Sequence, residues 1–191
     1  TPTPAPKVNV KKTEDGIQIE VELTQDVIEY YDGQITVPIT SGEILDELDN
    51  EELSGIQIDL SLPEQVNNAN QRDINLVLES EVIQKAKENN KDIIVNVTDT
   101  NDKVLYSWTF DKTELTKSDK AINDVNLSLK VEKVADDAYF TDEQNEDNVD
   151  NENDDTVALV IDFAHEGVLP SQASVRIYVG DMEGVTPGKK V

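Results

Sequence analysis

The chain contains no cysteine, which excludes structural disulfides, thiolate zinc sites and cysteine nucleophiles. It has one histidine, His165, and one tryptophan, Trp108. Basic residues are scarce: 16 Lys and Arg face 41 Asp and Glu, a formal net charge of −25. Binding to nucleic acid or to an anionic membrane surface depends on cationic side chains, so neither partner is expected. The same charge favours a soluble monomer. No stretch approaches the ~20 apolar residues of a membrane span, so no membrane insertion is expected. No secretory leader is visible, so for an exported protein the sequence begins after one. At 191 residues the chain is long enough to bury a sizeable core.

What is present is a repeated strand–helix–strand pattern. Ile35–Ile39, Gly42–Leu53 and Ile56–Leu62 form a first copy, and Ile74–Leu78, Glu81–Asn90 and Ile93–Val97 a second. A weaker third runs through Val104–Phe110, a polar link containing Leu115 and Ile122, and Val125–Val134. Strict alternation marks the strands: Ile17, Ile19, Val21 and Leu23 interleave with Gln18, Glu20, Glu22 and Thr24. The same period recurs at Ile56–Leu62, Val125–Val131, Val157–Phe163 and Val175–Val179. Sheets with one wet face are antiparallel or mixed.

In the first helix Ile44, Leu45, Leu48 and Leu53 share a face, with Ser41 as its cap and Gly55 beyond its end. In the second, Val82, Ile83 and Ala86 face inward, Ser80 is the cap and Asn89-Asn90 the stop. Both helices are too short to stand alone and must pack on sheet. If the two strands of a unit share one sheet, the connection crosses over right-handedly. Thr100–Lys103 reads as a hairpin turn. The expected fold class is α+β: mainly β, a two-layer sheet arrangement with two short crossover helices.

The opening Thr-Pro-Thr-Pro-Ala-Pro favours extended polyproline geometry, so residues 1–15 read as a Pro-rich linker and 16–191 as a single module. Within the module, residues 136–155 have little to bury and a high density of like charge, the composition of a mobile acidic loop.

Few residues carry candidate chemistry. His165 lies where a strand meets a turn, with no nucleophile or second ligand at fixed spacing, and is read as hydrogen-bonded to backbone. Asp150, Glu152 and Asp154 alternate and can converge oxygens on a calcium ion, although the run lacks the glycine of a calcium-binding loop. Apart from this weak calcium site no cofactor is expected. Tyr30 and Tyr31 are adjacent before a turn, so one is exposed and can stack on a sugar ring. Tyr106, Trp108 and Phe110 share a strand face with Val104 and read as core. Carboxylate pairs can be drawn almost anywhere among so many acidic residues, so they do not mark a glycosidase. Asn96-Val-Thr98 and Asn126-Leu-Ser128 match the glycosylation pattern but fall within strands.

Five segments carry a family resemblance: Ile74-Asn-Leu-Val-Leu-Glu-Ser-Glu-Val-Ile83, Asp102-Lys-Val-Leu-Tyr-Ser-Trp-Thr-Phe110, Asn123-Asp-Val-Asn-Leu-Ser-Leu129, Asp162-Phe-Ala-His-Glu-Gly-Val-Leu-Pro170 and Ala173-Ser-Val-Arg-Ile-Tyr-Val-Gly180. Over roughly residues 33–180 the chain resembles a repeat-containing module of multidomain cell-surface proteins of Firmicutes, including those with S-layer homology domains. The resemblance implies a secreted, extracellular bacterial module among stalk, adhesion and polysaccharide-related domains. Its partners would be other modules of the same polypeptide or components of the cell envelope. The expected function is a non-catalytic structural, adhesion or spacer unit, not an enzyme. The alternative is a carbohydrate-binding module, calcium-assisted, with polysaccharide as its partner.

Overall fold

The tetrapeptide Gly-Ile-Gln-Ile occurs at 16–19 and again at 55–58, and both copies begin parallel strands of one sheet. The computed structural model describes residues 4–14, 16–30, 35–39, 42–63, 74–134 and 158–179. Its elements run β1 (Lys7–Lys12), β2 (Ile17–Glu22), α1 (Gln25–Tyr30), β3 (Ile35–Ile39), α2 (Gly42–Leu48), β4 (Gly55–Ser61), β5 (Ile74–Leu78) and α3 (Ser80–Glu88). They continue with β6 (Asp92–Thr98), β7 (Val104–Phe110), α4 (Lys112–Lys117), β8 (Val125–Asn126), β9 (Leu129–Val134), β10 (Ala158–Phe163) and β11 (Ser174–Ile177). The fold is α+β and mainly β, with four short helices among the described residues where two were expected; α1 and α4 are the additions.

The main sheet has six strands in the order β1-β2-β4-β6-β7-β11. Strands β2, β4 and β6 are parallel, with Ile17 opposite Ile56 and Ile56 opposite Ile93. Antiparallel β1 flanks the trio on one side and antiparallel β7, then β11, on the other. A second sheet of three strands runs β3-β5-β8, with Ile35 opposite Ile74 in a parallel pair. Strands β9 and β10 form a separate antiparallel ribbon.

The two strands of each repeat therefore do not share a sheet. In both full copies the first strand enters the three-stranded sheet, and the helix carries the chain across to the six-stranded one. Equivalent strands of successive copies then pair with each other, while α2 packs against α3. The right-handed crossover within one sheet does not apply to these units. The third copy is reversed: β7 lies in the six-stranded sheet and β8 in the other, so the chain crosses the opposite way.

The inner faces of both sheets merge into one apolar cluster. Ile19, Ile58, Val95 and Phe110 come from the large sheet, Leu76, Leu78 and Val125 from the small one, and Leu48, Val82 and Ile83 from the helices. Trp108 is 3% exposed, and its indole Nε1 donates to the Leu127 carbonyl at 3.0 Å across the sheets. Tyr106 and Phe110 are buried beside it, but Val104 is exposed. An irregularity between Val97 and Thr98 shifts the β6–β7 register, so Val104 leaves the face of its strand-mates. On β10, Ile161 and Phe163 are also exposed. A two-stranded ribbon offers its apolar face few neighbours, and Phe163 reaches the core only edge-on to Trp108, at 5.7 Å between ring centroids.

Several local expectations change. Lys7–Lys12, inside the expected linker of residues 1–15, is strand β1 of the main sheet. Helix α2 ends at Leu48, not Leu53. Glu79, not Ser80, occupies the N-cap of α3, and the Ser80 backbone N–H donates to Asp124 Oδ1 at 2.7 Å. Gly55 answers crowding between strands, since a Cβ there would lie 2.7 Å from the Asp92 carbonyl oxygen. Asn90 does close α3, at φ 54°, with the Lys91 N–H returning to the Ala86 carbonyl. The turn expected over Thr100–Lys103 joins β6 to β7, and Asp99 Oδ1 accepts from the Asn101 and Lys103 N–H groups. Ser41 and the acidic segment 136–155 lie outside the described residues, Val157 likewise.

Candidate ligand-binding face

The side of the parallel trio that turns away from the core carries the wet half of each alternating strand. In-register pairing puts Gln18 beside Gln57, and Glu20, Asp59 and Asn96 in one row across β2, β4 and β6. Asp59 is the centre of this face. Its Oδ1 accepts from Asn96 Nδ2 at 2.7 Å and from Gln57 Nε2 at 2.9 Å, and its Oδ2 accepts from Gln57 Nε2 at 3.0 Å and from Gln18 Nε2. A carboxylate only accepts when ionised, so it fixes which end of each amide faces it. The amide oxygens of Gln18, Gln57 and Asn96 accept no hydrogen bond from the described residues.

The flanking charges are compensated. Glu20 accepts from Lys11 Nζ and from Asn9 Nδ2, and these bonds, Lys11 first, hold its carboxyl below the usual range. Lys7 Nζ lies 2.9 Å from Glu22 Oε1. Strand β1 thus lays a row of donors along the acidic edge of β2. Together with the turn after β6 it encloses a groove of about 900 Å³ over this face, whose walls include Val104 as well as the amides. The lysines also give the edge strand a charged rim that discourages pairing with other chains.

The residues singled out from the sequence lie elsewhere. Tyr30 is the last residue of α1 and exposed at 56%, and it does not line the groove. Tyr31, Asp150, Glu152 and Asp154 lie outside the described residues. Among the described residues no three His, Asp or Glu side chains are grouped to hold a metal ion. His165 is bound to backbone as expected: its Nδ1 accepts from the Asn126 N–H at 3.3 Å. Both glycosylation-like asparagines are engaged in side-chain pairs, Asn96 with Asp59 and Asn126 with Asn75 Oδ1 at 2.7 Å.

The groove residues were visible in the sequence only as the polar half of an alternating pattern. The signal that would have collected them is the repeated Gly-Ile-Gln-Ile, which fixes the register of β2 on β4. Comparison with protein-family models, with curated proteins and with solved structures finds no match.

Proposed function

We propose that the chain is a non-catalytic structural module, a spacer or adhesion unit, of a secreted bacterial cell-surface protein. The observation that supports this most is the stacking of the repeat. Two copies of one strand–helix–strand unit place equivalent strands side by side in two sheets, and their shared residues are spent on packing. Such a unit extends by addition of copies, as solenoid-like arrays do. The resemblance to modules of Firmicutes surface proteins points the same way, toward an extracellular location and toward neighbouring modules and envelope components as partners. The lone histidine accepts a backbone N–H at Nδ1, and Asp59 accepts from three amides, which supports a structural role for both.

The test is location on the intact cell. Antibodies raised against the chain should label unpermeabilised cells of the source bacterium, and mild surface proteolysis should remove that label. Labelling that requires permeabilisation would sink the proposal.

A further inference from the structure

We propose that the groove over Asp59 is a binding site for a neutral, hydroxyl-rich oligosaccharide. This goes beyond the spacer reading and does not depend on it. Three observations carry the inference. The amide oxygens of Gln18, Gln57 and Asn96 line the groove as acceptors without a partner among the described residues, oriented by their bonds to Asp59. A polar face that is concave and already organised binds at lower ordering cost than one that must be assembled. The second observation is charge. Glu20 is paired with Lys11 and Glu22 with Lys7, and Asp59 keeps its charge behind three amide donors while Asp102 stands at the rim, so the groove floor offers hydrogen-bonding amides more than uncompensated charge. That favours hydroxyl donors over a cationic peptide, and the acidic molecule as a whole repels anionic sugars. The third is the apolar part of the wall. Val104, 40% exposed, offers contact to the C–H faces that sugars present beside their hydroxyls.

The groove crosses five neighbouring strands, β1, β2, β4, β6 and β7. At a strand spacing of ~4.8 Å, that is about 19 Å from first to last. A ligand lying across the strands would therefore be a short chain and not a single ring.

The experiment is a titration of the folded chain with hexasaccharides of glucose, mannose, xylose and N-acetylglucosamine, followed by ¹H–¹⁵N spectra that resolve side-chain amides. The NH₂ signals of Gln18, Gln57 and Asn96 should shift and saturate with at least one sugar. Gln57→Ala and Asn96→Ala should each weaken that binding roughly fivefold or more, the loss of one ordinary hydrogen bond. Gln84→Ala, on the exposed face of α3, should leave it unchanged, and circular dichroism of each variant confirms the fold. The proposal is overturned if no sugar of the panel gives a saturable shift, or if the shifts fall outside the groove. It is overturned equally if an oligolysine probe binds there in a salt-sensitive way while the sugars do not.

Discussion

Ser128 shows how a single polar side chain holds two strands together where the ladder stops. Between β8 and β9 the backbone leaves regular pairing, and the buried Ser128 hydroxyl takes over, accepting from the Leu76 N–H at 2.9 Å and donating to the Ile74 carbonyl. Ser128→Ala leaves both backbone groups buried and unpaired, so we expect a loss of about 1–3 kcal/mol, read from denaturant midpoints. Trp108 acts by volume as well as by its indole bond to Leu127, and Trp108→Ala should cost ~3–5 kcal/mol; an unchanged melting temperature would contradict its place in the core. Tyr106 links packing to pH. Burial pushes its phenol above the ordinary value of 10, against a smaller opposing effect from its bond to the Leu129 backbone. The unfolded chain loses this proton near pH 10 while the folded chain keeps it, so the folded state binds more protons above that pH. Stability is then complete below about pH 10 and falls as pH rises beyond it. Tyr106→Phe should flatten that alkaline decline in a series of thermal melts.

At the scale of elements, the starts of the three parallel strands explain why two of them are glycine. A Cβ on Gly16 would lie 2.7 Å from the Gly55 carbonyl oxygen, and one on Gly55 the same distance from that of Asp92. Asp92, the third equivalent position, has the antiparallel β7 as its next neighbour and carries a side chain. Its Oδ1 accepts from the Lys112 N–H at 2.7 Å and so ties α4 to the sheet. Gly55→Ala must move backbone at the centre of the sheet, and we expect it to cost about 1–3 kcal/mol, measured by chemical unfolding. The unit boundary is also bridged by side chains. Lys91, 4% exposed, donates to the Asn50 carbonyl at 2.8 Å and to that of Leu53, tying the turn just beyond α2 to the start of β6. Lys85 reaches Asp49 at 2.7 Å on the surface of the same junction. The copies are thus fastened to each other at helix ends as well as in the sheets.

For the whole molecule the dominant long-range term is the charge of −25, which opposes compaction. Raising monovalent salt from about 0.01 M to about 0.1 M shortens the screening length from ~30 Å to ~10 Å, so the melting temperature should rise; a fall would mean that the surface ion pairs outweigh the self-repulsion. Composition and period determined the class of fold, the strands near 17–23, 56–62, 93–97 and 104–110, the inward faces of α2 and α3, and the burial of Trp108, because alternation and helical spacing are local properties of the chain. They did not reveal α1 or the strand at Lys7–Lys12, whose short, charged segments have weak periodicity of their own and are held by what they pair with. Nor did they show that the two strands of one repeat enter different sheets, since the strand period says which side chains share a face but not which strand lies alongside. The face around Asp59 is the plainest case. Each of Gln18, Gln57, Asp59 and Asn96 is individually an ordinary outward residue, and only the in-register parallel pairing of β2, β4 and β6 brings residues up to 78 positions apart (18 to 96) within hydrogen-bonding distance of one carboxylate. Sequence dictated what each strand would bury; tertiary pairing decided what the strands together present to water.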